Sequence, residues 1–219
     1  MTADPETRLR ADARRNRDQI LAAARAIFAD HGPDVPMEEI ARAAAVGVGT
    51  LYRRFPDRES LIREIARENF DRMLSQARAA ADEEPTAWAA LVRILRHSHE
   101  LQLSIQLAML SPMAHAVLQN DPKTEEFRTG LLRTIDEVVR AGQAEGSLRT
   151  DIDTGDVAIL AAMLLRRVPK GRFTAIADLA TDRCTAIMLD GLRAGVGTAL
   201  PGRPLTADDI EPPGRTTPR

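Results

Sequence analysis

The sequence predicts an all-α protein. Ala, Leu, Arg and Glu are abundant, aromatic residues make up only 3% of the chain, and the alternating β-branched runs that mark strands are absent. The 219 residues suffice for one large domain or two small ones with cores of their own, and two are expected. No apolar run approaches the roughly 18 residues of a membrane span, and the charged N-terminus lacks the apolar stretch of a secretory signal, so a cytoplasmic protein is expected. The single cysteine, Cys184, fits a reducing compartment and reads as a buried helix residue.

Helix starts and stops can be followed along the chain. Ile20, Ala24, Ile27 and Phe28 fall on one face of a first helix from about Asp12 to His31. Gly32-Pro33 stops it, because glycine takes the left-handed closing conformation and proline cannot continue. A short second helix, about Pro36 to Ala44, turns Met37, Ile40, Ala41 and Ala44 inward, with Asp34 or Pro36 serving its start. Ala45-Val46-Gly47 forms a tight turn, and a third helix from Val48 to Phe55 buries Leu51 and Phe55 at i, i+4. Pro56 ends it, and Asp57 caps a longer helix reaching about Ala80, with Ile62, Ile65, Asn69, Met73 and Ala77 along its inner side. After Asp82-Glu83-Glu84-Pro85 come longer helices at about Thr86–Ile105, Gln106–Asn120, Lys123–Glu145, Thr154–Val168 and Arg172–Ala194. These divide the chain into a three-helix unit (12–56), a connecting helix (57–80), a helical bundle (81–194) and a Gly/Pro/Thr-rich tail (195–219) expected to be mobile.

The first three helices have the form of a helix-turn-helix, whose last helix must be short and exposed on one side to enter a major groove about 12 Å wide. With Leu51 and Phe55 inward, Val48, Thr50, Tyr52, Arg53 and Arg54 lie outward. Gly49 permits close backbone approach, Thr50 and Tyr52 offer hydroxyls to phosphates, and Arg53 can donate twice to a guanine edge. Arg58, at the start of the next helix, adds a cation. Net charge is silent on this, since residues 1–80 hold 14 arginines against 13 acids. Distribution says more: Arg8, Arg10, Arg14, Arg15 and Arg17 cluster, as either a minor-groove arm or a solvated leader.

Several linked segments resemble the tetracycline-repressor (TetR) family of regulators. They are Arg17-Asp18-Gln19-Ile20-Leu21 with Ala24 and Phe28, Met37-Glu38-Glu39-Ile40-Ala41, Ala44 through Phe55, and Pro56-Asp57-Arg58-Glu59-Ser60-Leu61-Ile62. The resemblance spans about residues 12–65, and its strength lies in the order of the segments. It implies a homodimeric repressor that reads operator DNA with the third helix and binds a small molecule in a variable C-terminal domain. By position, Thr50, Tyr52 and Arg54 match the family's phosphate clamps, while Val48 and Arg53 match its base readers. Two departures stand out. Ala45 replaces the usual turn glycine, costing about 1 kcal/mol if its conformation is left-handed. Pro36 replaces the Thr or Ser that caps the second helix and touches phosphate.

Other motifs carry less. His97 and His99, at i, i+2, point about 200° apart on a helix and do not converge on a metal. Asp153-Thr154-Gly155 copies an aspartic-protease tripeptide but precedes a helix and reads as a cap. Gly47-Val48-Gly49 lacks the third glycine and preceding strand of a dinucleotide site. No catalytic residue, metal or cofactor is therefore expected. Trp88, Leu103, Met109, Met113, His115 and Met163 are the candidate ligand-binding residues, Met suiting a pocket for varied shapes. Val157, Leu160, Ala161, Leu164 and Leu165, with Phe173, Ile176, Ala177, Ala180, Cys184, Ile187 and Met188, form stripes wide enough for a dimer interface through the last two helices. The rival function is a helical-bundle ligand carrier or enzyme without a nucleic-acid role, which would need a convergent nucleophile and base or cofactor ligands. A DNA-binding architectural protein without ligand control is a further alternative.

Overall fold

The computed structural model describes residues 5–165, 174–195 and 197–210, with side chains from residue 12 and, in the last long helix, from residue 179. The described residues are helical, apart from loops and one isolated bridge between Leu148 and Arg193. The helices are α1 (Pro5–His31), α2 (Met37–Ala43), α3 (Val48–Arg54), α4 (Arg58–Glu83), α5 (Ala87–His97), α6 (Gln102–Leu110), α7 (Pro112–Gln119), α8 (Pro122–Ala144), α9 (Thr154–Leu165) and α10 (Thr174–Leu192). Single 3-10 turns lie at Ser98–Leu101 and Asp208–Ile210. Contacts divide the chain into two units: one runs to Asn69 and includes Leu103–Thr124, and the other joins Phe70–Gln102 to the described residues from Glu125 onward.

In the first unit, Ile20, Leu21, Ala24 and Phe28 of α1, Met37, Ile40 and Ala41 of α2, Leu51 of α3 and Leu61, Ile62 and Ile65 of α4 are buried. Each large side chain contributes about 1.5–3 kcal/mol of transfer energy. Gly32, at φ +79°, closes α1 by donating its N–H to the Phe28 carbonyl at 3.0 Å. Ala45 takes φ +53°, so the left-handed turn is present and an alanine bears its cost. Asp57 caps α4: the Ser60 N–H donates to its carboxylate at 2.6 Å, and the Asp57 N–H donates back to the Ser60 hydroxyl at 3.4 Å. Two further ties complete this unit. Asn69 is buried and donates to the Ser104 hydroxyl at 3.1 Å. Arg67 grips the buried Asp121 carboxylate through two bonds of 2.8 and 2.7 Å. That guanidinium is the main reason the Asp121 pKa lies below the usual carboxylate value, its bond from the Lys123 N–H adding to the effect and burial opposing it.

Two expected helices are broken. The span Thr86–Ile105 stops at His97, where the chain tightens into the 3-10 turn and Ser98 donates its hydroxyl to the Leu95 carbonyl at 2.7 Å. The span Gln106–Asn120 is interrupted at Ser111-Pro112. Ser111 accepts from the Ala114 N–H, and Pro112 sits in the first turn of α7, where its missing N–H costs nothing.

Of the tail expected from residue 195 onward, the residues beyond 210 lie outside the described residues. Residues 197–210 are held in the second unit through Asp156, whose N–H donates to the Leu205 carbonyl at 3.3 Å and whose carboxylate accepts from the Leu205 N–H at 3.0 Å. A Cβ at Gly155 would stand 2.4 Å from the Thr206 carbonyl oxygen, so only glycine allows this approach. Farther back, Arg149 spans the Asp151 carboxylate and the Gly191 and Thr198 carbonyls, and its guanidinium is the main force holding the Asp151 pKa down at about 2.

Candidate nucleic-acid interface

α3 is short because its neighbours fix both ends. Gly47 precedes it in extended conformation, and Phe55 leaves helical geometry at φ −130° while its N–H still donates to the Leu51 carbonyl at 2.8 Å. Leu51 is fully buried and Phe55 nearly so, which locks the rotation of the helix. The opposite side then faces outward: Val48 is 41% and Tyr52 40% exposed, Arg53 and Arg54 are exposed, and Thr50 is half-buried. A Cβ at Gly49 would meet no atom within 4 Å, so this glycine leaves open space on the helix surface. Arg53 rests its Nε against the Gly49 carbonyl at 3.3 Å, a long bond that a better acceptor can replace.

Arg58 is placed differently. Its guanidinium donates to the Pro33 carbonyl, tying the start of α4 to the loop after α1. Of the N-terminal arginines, Arg17 is engaged inside the fold, donating to Glu64 at 2.5 Å and to Glu68 at 2.7 Å, while Arg25 also donates to Glu68. The bond to Glu64 leads in raising the Arg17 pKa. Arg14 and Arg15 are exposed, and the side chains of Arg8 and Arg10 lie outside the described residues. Pro36 precedes α2 without any side-chain cap, so the hydroxyl that a Thr or Ser would offer to the helix start and to phosphate has no substitute at that position.

One neighbour of this face, Glu38, lies within a sequence motif that assigns it no role. Tyr52 donates its phenolic O–H to Glu38, in the first turn of α2, at 3.2 Å. Partial desolvation, followed by this bond and the carboxylate's charge, raises the Tyr52 pKa. Nothing in the spacing from 38 to 52 signals the pair, which exists only because the turn at Ala45 brings the two helices together.

The six candidate ligand residues are divided between the two units. Trp88 and Met163 belong to the second unit; Leu103, Met109, Met113 and His115 belong to the first. Met109, His115 and Met163 are exposed, against the expectation of interior positions. Met113 borders an open cleft between α4 and α7, and Leu103 is half-buried. Trp88 is half-buried beneath the Arg193 guanidinium, 4.2 Å from its ring centroid. Within the second unit a cavity of about 570 Å³ is lined by other residues, among them Leu95, Arg96, Gln102, Leu165, Asp182 and Leu189. His97 and His99 each turn Nδ1 to a backbone carbonyl at 2.8 Å, and no cluster of three metal-ligating side chains occurs among the described residues.

Of the residues expected to form the pairing surface, Ile187 is 67% exposed and Cys184 is exposed rather than buried, while Val157 and Leu165 are buried; Met163 and Leu179, on the same two helices but outside that expectation, are also exposed. The side chains of Phe173, Ile176 and Ala177 fall outside the described residues. Among the described residues, no helix is long and apolar enough to cross a membrane.

Comparison with known proteins agrees with this arrangement. Residues 20–65 match the family described as bacterial regulatory proteins, tetR family, and residues 86–194 match the C-terminal domain of SbtR-like transcriptional regulators. The chain is 26% identical over 202 residues to the HTH-type transcriptional regulator UidR of Escherichia coli K12, covering 88% of this chain and 96% of that one. It is 28% identical over 188 residues to the HTH-type transcriptional repressor KstR2 of Rhodococcus jostii, covering 80% and 90%. The crystal structure of the TetR transcriptional regulator SCO0520 from Streptomyces coelicolor superposes with a TM-score of 0.62 at 29% identity, covering 82% of this chain and 99% of that one. With an outward-facing third helix, matches over both halves of the chain and these relatives, the protein belongs to the TetR family of helix-turn-helix, DNA-binding transcriptional regulators.

Proposed function

We propose that the chain is a homodimeric cytoplasmic repressor that binds operator DNA through α3 and releases it when a small molecule binds the second unit. The observation that carries this is the outward face of α3, open at Gly49 and held in rotation by Leu51. In the major groove, Arg53 exchanges its weak bond to Gly49 for guanine O6 and N7, and Val48 makes apolar contact with a base. Thr50, Tyr52 and Arg54 meet phosphates, while Arg58 orients the corner.

The exposed apolar side chains Met163, Leu179 and Ile187 support pairing of two copies through α9 and α10. That pairing would set two recognition helices about 34–36 Å apart, one turn of DNA. The cavity near Leu95, Leu165 and Leu189 suits an effector with an apolar body and polar ends, given Arg96 and Asp182 on its wall. The name of the Rhodococcus relative supports repression. No catalysis is part of this reading. Selecting bound duplexes from a random DNA pool, then screening metabolites for release of the selected duplex, tests it. Enrichment of a palindromic site and release by a discrete compound are expected; a pool that stays random would contradict the assignment.

A further inference from the structure

Glu38 stands exposed in the first turn of α2, and its carboxylate accepts the Tyr52 hydroxyl at 3.2 Å. A phenol has a single hydrogen to donate. While Tyr52 donates to Glu38 it cannot donate to a phosphate, and a carboxylate at the edge of a surface that meets DNA repels every duplex alike. The arginines of α3 do not relieve this: Arg53 leans back on Gly49 within its own helix, and no ion pair to Glu38 occurs among the described residues. We propose that Glu38 sets the affinity of the DNA-binding face, holding the Tyr52 hydroxyl in the DNA-free protein and surrendering it when Tyr52 turns to the backbone. The proposal rests on the placement of Tyr52 at the DNA. Its consequence is a lower affinity for every duplex: non-specific binding, which has little beyond backbone attraction, becomes weak, whereas an operator, with base contacts as well, still holds the protein.

The test compares dissociation constants for a selected operator and a random duplex, at one salt concentration, for the wild type, E38Q, E38A, Y52F and E38A/Y52F. E38Q removes the charge and keeps an acceptor; E38A removes both. Each should tighten binding to both duplexes, by about three- to tenfold. Y52F should weaken binding, and the gain from E38A should shrink in the Y52F background. Both acidic replacements alter an exposed side chain, so an unchanged melting curve verifies the fold. The proposal is overturned if E38A binds no more tightly than the wild type, or if its gain is undiminished with Y52F. A Y52F protein that binds both duplexes like the wild type overturns the placement of Tyr52, and the proposal with it.

Discussion

The corner formed by α2 and α3 and the docked segment 197–210 are both short, loop-bounded and partly exposed, yet they are ordered by opposite means. At the corner, residues close in sequence do the work: Ile40 and Leu51 seal the underside, Ala45 makes the turn, and Phe55 closes the last turn of α3. The segment 197–210 owes its place to partners about fifty residues away, the Asp156 carboxylate and the bare backbone at Gly155. The proposed DNA-binding surface is therefore held from beneath and left exposed above, whereas the segment uses up its own backbone groups in staying attached.

This contrast can be broken at either end. The largest effect is expected from Leu51→Ala, which empties a fully buried site and should destabilise the first unit by about 2–5 kcal/mol, read as a loss of melting temperature together with DNA binding. Gly155→Ala forces a methyl against the Thr206 carbonyl. It should cost about 1–3 kcal/mol and speed proteolysis within 197–210 while leaving operator affinity in place. An unchanged cleavage rate would show that the segment is not held there. Asp121→Asn loses the charge that pairs with Arg67 and should cost about 1–2 kcal/mol, discounted because the Arg67 side chain is 38% exposed.

The same pair predicts a pH dependence. Because the folded Asp121 pKa lies below its unfolded value, the stabilisation is complete at neutral pH and declines as pH falls below the usual carboxylate range. Acid titration of Asp121→Asn should therefore run flatter than that of the wild type. The smallest effect is a gain: Ala45→Gly relieves the left-handed strain at φ +53° and should stabilise the corner by up to about 1 kcal/mol. A loss of stability there would mean that the alanine methyl contributes packing.

What is legible in the sequence follows the same division. The bounds of α2 and α3 lie within a residue of their periodicity, and Asp57 caps where its position before the apolar run says it should. The break at Ser111-Pro112 follows plain cap-and-proline chemistry, but the apolar run on either side of it masks the signal. The docking of 197–210 has no local signal, since Gly155 looks like any helix-start glycine until the Leu205 and Thr206 carbonyls lie against it. On the outer face of α3, the exposure of Val48, Tyr52, Arg53 and Arg54 is readable from the inward pair Leu51 and Phe55. The partnership of Tyr52 with Glu38 is not, because it crosses the turn. The ligand residues fare worst: apolar bulk marks a core position and an exposed one equally, as Met109 and Met163 illustrate.

The central claim is that α3 distinguishes one duplex from another. Arg53→Ala combined with Tyr52→Ala, measured against a selected operator and a scrambled duplex at matched salt, tests it most directly. The account predicts that the double variant keeps its melting temperature and loses its preference, binding both duplexes alike. A double variant that still prefers the operator as strongly as the wild type would contradict it.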